Sequence, residues 1–266
     1  MEQSDTRLLE GKTALVFGVA NDHSLAWGIS RTLYAHGATI ALSYGADQLE
    51  RRVLPLAESI ESPFVEKCDV TDDSQIDRLF SRVKEQIGQV DVLVHAVAFA
   101  PREDMEGAFL ETSRSGFHVA MDVSVYSFLA LARAAAPLMA TGGSMLTLTY
   151  YGGEKVAPGY QVMGVAKAAL ESTTRYLAAD LGPKGIRVNA ISAGPVRTLA
   201  AAGVPGFRSA HAEIARSAPM RRAIDIDDVG GAALWLSSDL ARNVTGQVVF
   251  VDAGHSILSA SVPTPE

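Results

Sequence analysis

Several features that mark other classes of protein are scarce in this sequence. Only one of its 266 residues is a cysteine, Cys68, so the chain has no internal disulfide. Lys and Arg (23) are outnumbered by Asp and Glu (30), and the net charge of −7 argues against binding through nucleic-acid phosphates. The opening MEQSDTRLLE is polar and acidic, unlike a secretory leader. No apolar run approaches the ~18 residues of a membrane span, since Asp91 and His95 interrupt VDVLVHAVAFA. We therefore expect a cytoplasmic protein that binds neither nucleic acid nor membrane.

The histidines give no sign of a metal site. None of the six lies at a ligand-like spacing from another. They are His23, His36, His95, His118, His211 and His255. We therefore expect no bound metal.

Short β-branched segments alternate with longer segments of helical periodicity, which is typical of βαβ units and a parallel sheet. The predicted strands are TALVFG (13–18), TIALSY (39–44), FVEKC (64–68), VDVLVHAV (90–97), SMLTLT (144–149), IRVNAI (186–191) and QVVFVD (247–252). Helical patterns between them are SLAWGISRTLYAHG, DSQIDRLFSRVKEQIG and FHVAMDVSVYSFLALARAAAPLM. We expect an α/β, single-domain Rossmann-type doubly wound fold over 1–266, with a seven-stranded parallel sheet flanked by helices on both faces. We expect a flexible tail at 257–266.

The segment GVANDHSLAWG after the first strand has the context of a nucleotide site. A strand, a glycine, a polar turn and a helix start place backbone N–H groups where they can hold a pyrophosphate. Gly18 permits a tight turn, Ser24 can cap the helix and donate to phosphate, and Gly28 allows helix and strand to approach. The spacing departs from G-x-G-x-x-G. The alternative is a plain β–α turn in which Ser24 only caps the helix.

Two further strand ends bear on a dinucleotide. Asp69 closes the third strand, where its carboxylate can accept from an adenine amino group; alternatively, Asp69 and Thr71 open the next helix. After the second strand, Tyr44-Gly45-Ala46 has neither an acid for a ribose 2′-hydroxyl nor an arginine for a 2′-phosphate. Asp47 follows, with Arg51 and Arg52 a helical turn beyond. These residues favour NADH over NADPH.

A tyrosine and a lysine in the second half suggest chemistry. Proline suits the first turn of a helix, so we predict a helix from Pro158 that ends before Gly182. In it Tyr160 and Lys167 are seven residues apart, which places both on nearly the same face with Met163. A phenol and an ammonium beside a bound nicotinamide can act as an acid and an orienting group. Tyr151, Met163 and Met121 are interpreted as packing residues.

The whole chain resembles the short-chain dehydrogenase/reductase superfamily, whose usual Tyr-x-x-x-Lys pair has a serine upstream. Counted from Lys167, the tyrosine position is Met163 and the serine position is Tyr150. Tyr-x6-Lys, with a tyrosine ending the fifth strand, resembles the bacterial NADH-dependent enoyl-[acyl-carrier-protein] reductases. The matching motifs are G-x5-S-x3-G, CDV at 68–70, HAVAFAP at 95–101, TYYG at 149–152, YQVMGVAK at 160–167 and RVNAISAGPVRTLAA at 187–201.

That resemblance implies hydride transfer from NADH to the β-carbon of a trans-2-enoyl thioester. Tyr160 would donate to the enolate oxygen, Lys167 would bind the nicotinamide ribose, and Tyr150 would flank the thioester beside Ala100. The implied cofactor-binding residues are Gly18, Ser24, Leu25, Asp69, Val70, Val97, Lys167, Val196, Thr198, Leu199 and Ala200. Residues 192–212 would form a mobile segment that covers the substrate, unless they are only a surface loop.

The resemblance also implies partners, and the sequence departs from the family pattern at one position. Acidic acyl-carrier protein would dock on a basic patch formed by Arg197, Arg208, Arg221 and Arg222. A homotetramer is usual in such reductases, and apolar helices near 112–139 and 158–181 are candidate interfaces. The family commonly has glycine where Ala98 stands, so we predict an altered fit of flat phenolic inhibitors. The alternatives to enoyl reduction are a reductase of another double bond or carbonyl, and a nucleotide-sensing or scaffold protein that has kept the fold.

Overall fold

The fold is given by a computed structural model, which describes residues 7–139, 142–198, 201, 211–212 and 216–259. Seven strands form one sheet in the order β3-β2-β1-β4-β5-β6-β7, and every neighbouring pair is parallel. The strands are β1 Thr13–Phe17, β2 Thr39–Tyr44, β3 Phe64–Lys67, β4 Val92–His95, β5 Gly143–Thr149, β6 Ile186–Ala193 and β7 Val248–Val251. The predicted seven-stranded parallel sheet and Rossmann-type fold are confirmed.

Apolar residues cover both faces of the sheet because parallel strands are packed against helices on each side. In β1, Leu15 and Phe17 point into one core, while Ala14 and Val16 point into the other. All four are at most 1% exposed. The near-continuous apolar pattern of the strands therefore reflects two separate cores.

Helices pack on both faces. Among the described residues, the helices given over their full length are α1 Leu25–Ala35, α2 Asp47–Ser59, α3 Asp73–Gln86, α4 Arg114–Met121, α5 Ser127–Ala135, α6 Gln161–Leu181 and α7 Ile226–Ser237. Sequence patterns predicted all of these except α2, which contains Pro55, and α7, which contains the adjacent Gly230 and Gly231. Proline and glycine both weaken the helical signal, although packing against the sheet retains the helices.

The predicted role of Gly28 is wrong. It does not bring α1 to a strand; a Cβ at this position would overlap the carbonyl of Ile226 at the start of α7. A Cβ at Gly230 would overlap Thr32 in the same way. The two glycines therefore let α1 and α7 pack with their backbones close together.

The segment Arg114–Leu138 is long and apolar enough to pass a composition test for a membrane span, with a mean hydropathy of 1.4. The expectation that no segment reaches this length is therefore wrong. Half of the apolar window is buried in the protein. The segment is not one straight helix, because a π-turn over Asp122–Tyr126 joins α4 to α5. Core helices of globular proteins often pass the same test.

Helix α6 begins three residues later than predicted, at Gln161 rather than Pro158. Gly159 has φ +74° and Gln161 has φ +39°, so the backbone before the helix is not helical. Tyr160 lies between them as the N-cap residue. Tyr160 therefore precedes the helix, and its position depends on this turn rather than on the seven-residue spacing to Lys167.

Because the strands are parallel, their carboxyl ends share one edge of the sheet. From β1 to β3 successive strands are added toward one side of the sheet, and from β4 to β7 they are added toward the other side. Doubly wound folds form a crevice for ligands at this switch point between β1 and β4. At the C-terminus, Ile257 ends a short turn of helix, His255–Ile257, at the start of the predicted tail. Residues 260–266 of that tail lie outside the described residues.

Candidate active site

The β1–α1 turn forms the first wall of the site, at the crevice between β1 and β4. Gly18 has φ +102°, and a Cβ there would overlap the carbonyl of Ala96 just after β4. The Ala96 N–H donates to the Phe17 carbonyl at 3.0 Å. The backbones after β1 and β4 thus touch at the switch point, and only glycine fits there. Gly18 therefore has the left-handed backbone conformation that glycine permits.

Ser24 is the N-cap residue of α1, but its side chain makes no capping hydrogen bond. Its hydroxyl donates to the Asn21 carbonyl at 2.6 Å and accepts from the Ala20 N–H at 3.4 Å. The alternative in which the Ser24 side chain only caps the helix is therefore wrong. The first N–H groups of α1, beginning at Leu25, have no side-chain cap, which suits an anion such as a pyrophosphate.

Asp69 lies exposed after β3 and does not cap α3. Its Oδ1 accepts from the Thr71 N–H at 3.0 Å and the Thr71 hydroxyl at 2.7 Å. The cap of α3 is Asp72, whose side chain accepts from the N–H groups of Ser74 and Gln75. The interpretation of Asp69 as the helix-opening residue is therefore wrong. Val70, beside it, is buried.

The acid that follows β2 is paired across the sheet edge. Asp47 Oδ1 accepts from Lys67 Nζ at 2.8 Å, and both side chains are exposed. Arg51 and Arg52 are exposed on α2. The sequence did not indicate the lysine partner, because it comes from the end of the neighbouring strand.

After β4, the chain turns along the second wall of the site. Val97 and Ala100 are half-buried, while Ala98 and Phe99 are exposed. Ser124 in the π-turn holds this segment: its hydroxyl lies 3.1 Å from the Phe99 N–H and 3.2 Å from the Phe99 carbonyl. Sequence reasoning missed Ser124, since a π-turn has no periodic signature.

Lys167 is buried, and its Nζ donates to the Leu148 carbonyl at 2.8 Å. Burial lowers the pKa of Lys167 to about 8, against a smaller opposing effect of Glu171. An ammonium has three donors, so two remain for a ligand at the end of β5. Lysine in a site of this kind can bind hydroxyl groups and provide a positive field.

Glu171 is a buried carboxylate one helical turn beyond Lys167 that sequence reasoning missed. Its Oε1 accepts from the Thr149 hydroxyl at 2.7 Å, and burial raises its pKa. The signal was present as the i, i+4 spacing of KAALE. Glu171 is the acidic neighbour of Lys167 on the same side of α6.

Three tyrosines cluster between the end of β5 and the start of α6. The rings of Tyr150 and Tyr160 are 5.0 Å apart at 71°, and those of Tyr150 and Tyr151 are 4.7 Å apart at 85°. Tyr151 also packs on His255 at 5.3 Å, in agreement with its predicted packing role. The structure brings Tyr150 and Tyr160 together, although they come from different elements.

The environment of Tyr160 keeps its phenol protonated. Burial raises its pKa, and the pKa of Tyr150 is raised by burial and then by Tyr151 and Tyr160. Within the described residues, the Tyr160 hydroxyl makes no hydrogen bond. A neutral phenol with a free O–H is a donor at physiological pH.

Two further residues, Met163 and His95, are buried. Met163 is 5% exposed and packs in the core, as predicted, with its Sδ 3.8 Å from the Ser124 hydroxyl. His95 Nδ1 lies 2.8 Å from the Thr147 hydroxyl and its Nε2 lies 2.8 Å from the Ser127 hydroxyl. Burial, and then Lys167, lower the pKa of His95 to about 3. His95 is therefore neutral and joins β4 to β5 and α5.

Within the described ranges, no group of three His, Cys, Asp or Glu side chains is placed to hold a metal ion.

The segment after β6 is described only in part. Val196 is buried, and the Thr198 hydroxyl accepts from the Ala201 N–H at 3.1 Å. Arg197 is exposed. The predicted contact residues Leu199 and Ala200, and Arg208 of the predicted patch, lie outside the described residues.

The polar groups of this edge fit a dinucleotide. Among the described residues, the buried hydroxyls of Ser43 and Ser192 have no hydrogen-bond partner. Each is the penultimate residue of its strand, β2 and β6. Uncapped N–H groups at α1 and two spare donors on Lys167 add further groups for phosphate and ribose oxygens. A Rossmann-type crevice with a lysine and a protonated phenol at its edge is that of a dinucleotide-dependent oxidoreductase of the short-chain dehydrogenase/reductase type.

Comparison with known proteins specifies the family. A family model described as enoyl-(acyl carrier protein) reductase matches residues 18–256. Enoyl-[acyl-carrier-protein] reductase [NADH] 1 of Rhizobium meliloti is 50% identical over 260 residues, covering 97% of this chain and 96% of that protein. The crystal structure of the NADH enzyme from Aquifex aeolicus has a TM-score of 0.93 at 49% identity, covering 95% and 99% of the two chains. The Anaplasma phagocytophilum reductase in complex with NAD has the same TM-score and identity, with coverage of 96% and 98%. The chain belongs to the enoyl-[acyl-carrier-protein] reductase family.

Proposed function

We propose that this protein reduces the carbon–carbon double bond of trans-2-enoyl thioesters on acyl-carrier protein, in fatty-acid elongation, with NADH as the reductant. One observation carries the proposal. A protonated phenol, Tyr160, and a buried ammonium, Lys167, lie at the cofactor edge of the sheet, while the tyrosine position of ordinary ketoreductases is occupied by the core residue Met163. Family membership supports the same reaction.

NADH bound along the edge supplies the hydride that reduces the β-carbon of the substrate. Negative charge then develops on the thioester oxygen as an enolate, and Tyr160 donates its hydroxyl hydrogen bond to that oxygen. Because the phenol pKa is raised, Tyr160 keeps its proton. The α-carbon of the enolate then takes up a proton from solvent, which gives the saturated thioester and NAD⁺. Lys167 binds ribose hydroxyls and adds a positive field beside the enolate.

The remaining residues bind and orient. Tyr150 packs edge-on against Tyr160 and provides a flat surface for the acyl thioester, next to Ala100. Gly18, Ser24 and Leu25 provide the pyrophosphate site at the start of α1. In the present geometry the Ser24 proton is directed to Asn21, so a bond to phosphate requires that hydroxyl to rotate. Asp69 and Val70 would adjoin the adenine, and Val97, Val196 and Thr198 would adjoin the nicotinamide end of the cofactor.

A rate assay tests this function. The purified protein should oxidise NADH in the presence of a crotonyl thioester, at a higher rate than with NADPH, and should be inactive with an acetoacetyl thioester. Turnover of the acetoacetyl compound instead would indicate a carbonyl reductase. Tight NADH binding without turnover of any enoyl thioester would indicate a nucleotide sensor.

The acyl-carrier partner would dock beside residues 192–212, which we propose as the substrate cover. Arg197 and Arg221 are exposed near this end of the molecule. Arg222 is less suited than the sequence suggested, because its Nη2 lies 3.3 Å from Asp228 Oδ1. Since the carrier is acidic, exposed arginines would guide its approach.

Charge reversal tests this docking site. Arg197→Glu with Arg221→Glu should raise KM for the carrier-bound substrate, with a steep salt dependence, and leave KM for the coenzyme-A thioester unchanged. Arg242→Glu, which reverses an exposed charge before β7 at the opposite edge of the sheet, is the matched control. Equal effects of the double variant on both substrates would rule out the patch.

We also propose that the protein is a cytoplasmic homotetramer. Apolar side chains are exposed along α4, the π-turn and α6, including Phe117, Tyr126, Val165 and Tyr176. Large exposed apolar patches mark association surfaces, and these side chains are candidates for one. Analytical ultracentrifugation should give four times the chain mass, and a monomer at micromolar concentration would exclude the tetramer.

A further inference from the structure

Gln161 is the residue after Tyr160 and carries backbone strain. Its φ of +39° lies in the left-handed region, which non-glycine residues avoid. Gly159, on the other side of Tyr160, has φ +74° at no steric cost. Tyr160 is thus held between two left-handed residues, of which only one is strained.

The Gln161 side chain makes a long-range hydrogen bond that opposes this strain. Its Nε2 donates to the Gly107 carbonyl at 2.7 Å, across 54 positions of the chain. Gly107 belongs to the segment between β4 and α4, which is anchored by the buried Asp104: its carboxylate accepts from the Ser113 N–H. The bond therefore ties the start of α6 to the wall that begins at Val97.

The conformation at residue 161 sets the direction of Tyr160. If φ at Gln161 relaxed to a helical value, α6 would extend and Tyr160 would become part of its first turn. Side chains on a helix lean toward its N-terminus, so the Tyr160 ring would leave its present contact with Tyr150. It would also leave Gly152, where an added Cβ would lie 2.7 Å from the Tyr160 ring.

We propose that Gln161 is a positioning residue, whose hydrogen bond to Gly107 holds a strained backbone and thereby directs Tyr160 toward the substrate. Strain of this kind persists where surrounding contacts over-determine it, and it is concentrated at functional sites. This inference rests on the proposed function, because it assigns the role of Gln161 through the donor Tyr160.

Two substitutions separate the hydrogen bond from the strain. Gln161→Met keeps the side-chain length but cannot donate a hydrogen bond, and methionine disfavours φ +39° as much as glutamine does. The backbone should therefore relax, and kcat with a crotonyl thioester should fall about tenfold. Gln161→Gly also lacks the bond, but glycine accepts φ +39° freely, so kcat should stay within about threefold of the parent value. KM for NADH should change little in either variant, because Lys167 and the β1–α1 turn are untouched.

Glu61 provides the matched control. It has φ +50°, is exposed, and lies after α2. Glu61→Met and Glu61→Gly should leave kcat unchanged. The proposal is overturned if Gln161→Met keeps kcat within about twofold of the parent value. It is equally overturned if Gln161→Met and Gln161→Gly lose activity to the same extent, since the side chain would then act directly and not through the backbone.

Amide hydrogen exchange gives a readout that does not depend on turnover. Residues 157–164 should exchange faster in Gln161→Met than in the parent protein, and at the parent rate in Gln161→Gly. If the parent protein reduces no enoyl thioester but this exchange pattern holds, the proposed function is wrong and the positioning role of Gln161 stands. Unchanged exchange over 157–164 in Gln161→Met would overturn the positioning role, whatever the reaction.

Discussion

The two walls of the site present different chemical groups to a ligand. The wall at β1, β2 and β3 presents backbone N–H groups, glycine and small polar side chains, such as Gly18 and Ser24. The wall at β5 and α6 presents buried ionisable groups, among them Tyr160, Lys167 and Glu171, and burial shifts the pKa of each. The first wall is suited to binding the pyrophosphate and adenine end of a dinucleotide, whose charge does not change in the reaction. The second is suited to stabilising charge that appears during a reaction.

The walls also differ in how they are held. At Gly18 the tight contact with Ala96 is relieved by the absence of a side chain, so the turn is unstrained. At Gln161 a non-glycine residue adopts a left-handed backbone beside the proposed donor. Of these two turns, the strained one lies where chemistry is proposed, and strain of this kind is common at functional sites. Substitutions on the two walls should accordingly have different signatures: binding on one side, rate on the other.

The largest effect is expected from Tyr160→Phe. Removing the hydroxyl deletes the donor to the enolate oxygen, which typically costs about 2.7–4 kcal/mol or ~10²–10³ in kcat. KM for NADH should be nearly unchanged. Initial rates with a crotonyl thioester measure this, and Tyr34→Phe, in the last turn of α1, is the control. A loss below about threefold would remove Tyr160 from the role of principal donor.

On the other wall, Gly18→Ala should act on binding and stability. A methyl group would meet the Ala96 carbonyl, and alanine is strained at φ +102°, so we expect a loss of ~3 kcal/mol or more in the free energy of unfolding. NADH affinity should fall with it, measured by fluorescence titration. Gly45→Ala is the matched control, because no atom lies within 4 Å of the added methyl group. Equal behaviour of the two variants would contradict the close contact at the switch point.

As pH rises, deprotonation of Lys167 should lower the activity of the protein and raise its stability. The folded pKa of about 8 lies below the reference value of 10.5, so Lys167 loses its charge as pH rises through about 8. kcat/KM should then fall, by up to about tenfold per pH unit. Between these two pKa values the unfolded chain holds more protons, so the free energy of unfolding should rise with pH, by ~1–2 kcal/mol up to about pH 9.5.

Two variants test whether Lys167 is the group responsible for this pH dependence. In Tyr160→Phe the remaining activity should decline over the same pH range, because the raised pKa of Tyr160 lies above it. In Lys167→Met the rise in stability should be absent, as measured by urea denaturation at about pH 7.5 and 9.5. A decline of kcat/KM that begins only above about pH 9.5 in the parent protein would contradict the effect of burial on Lys167.

The sequence was sufficient for features that depend on local pattern. The seven strands and the left-handed backbone at Gly18 follow from apolar runs and glycine, which act through short-range sterics. The pairing of Asp47 with Lys67, the Ser124 clamp on Phe99 and the α1–α7 contact at Gly28 join residues from separate elements, so no local pattern predicts them. The late start of α6 was missed because a left-handed glutamine has no sequence signature, although the proline at position 158 suggested an earlier start.

The smallest expected effect concerns Ala98, on the exposed segment that Ser124 holds after β4. One methyl group in a pocket contributes about 0.8 kcal/mol when it fits and opposes binding when it does not. If Ala98 narrows the space beside the nicotinamide ribose, Ala98→Gly should strengthen inhibition by a flat phenolic compound by about three- to tenfold. Inhibition constants measured in the presence of NAD⁺ test this, with kcat on a crotonyl thioester as the internal control. An unchanged inhibition constant would place the Ala98 methyl group outside the inhibitor site, and a parallel change in kcat would indicate a general loosening of the segment.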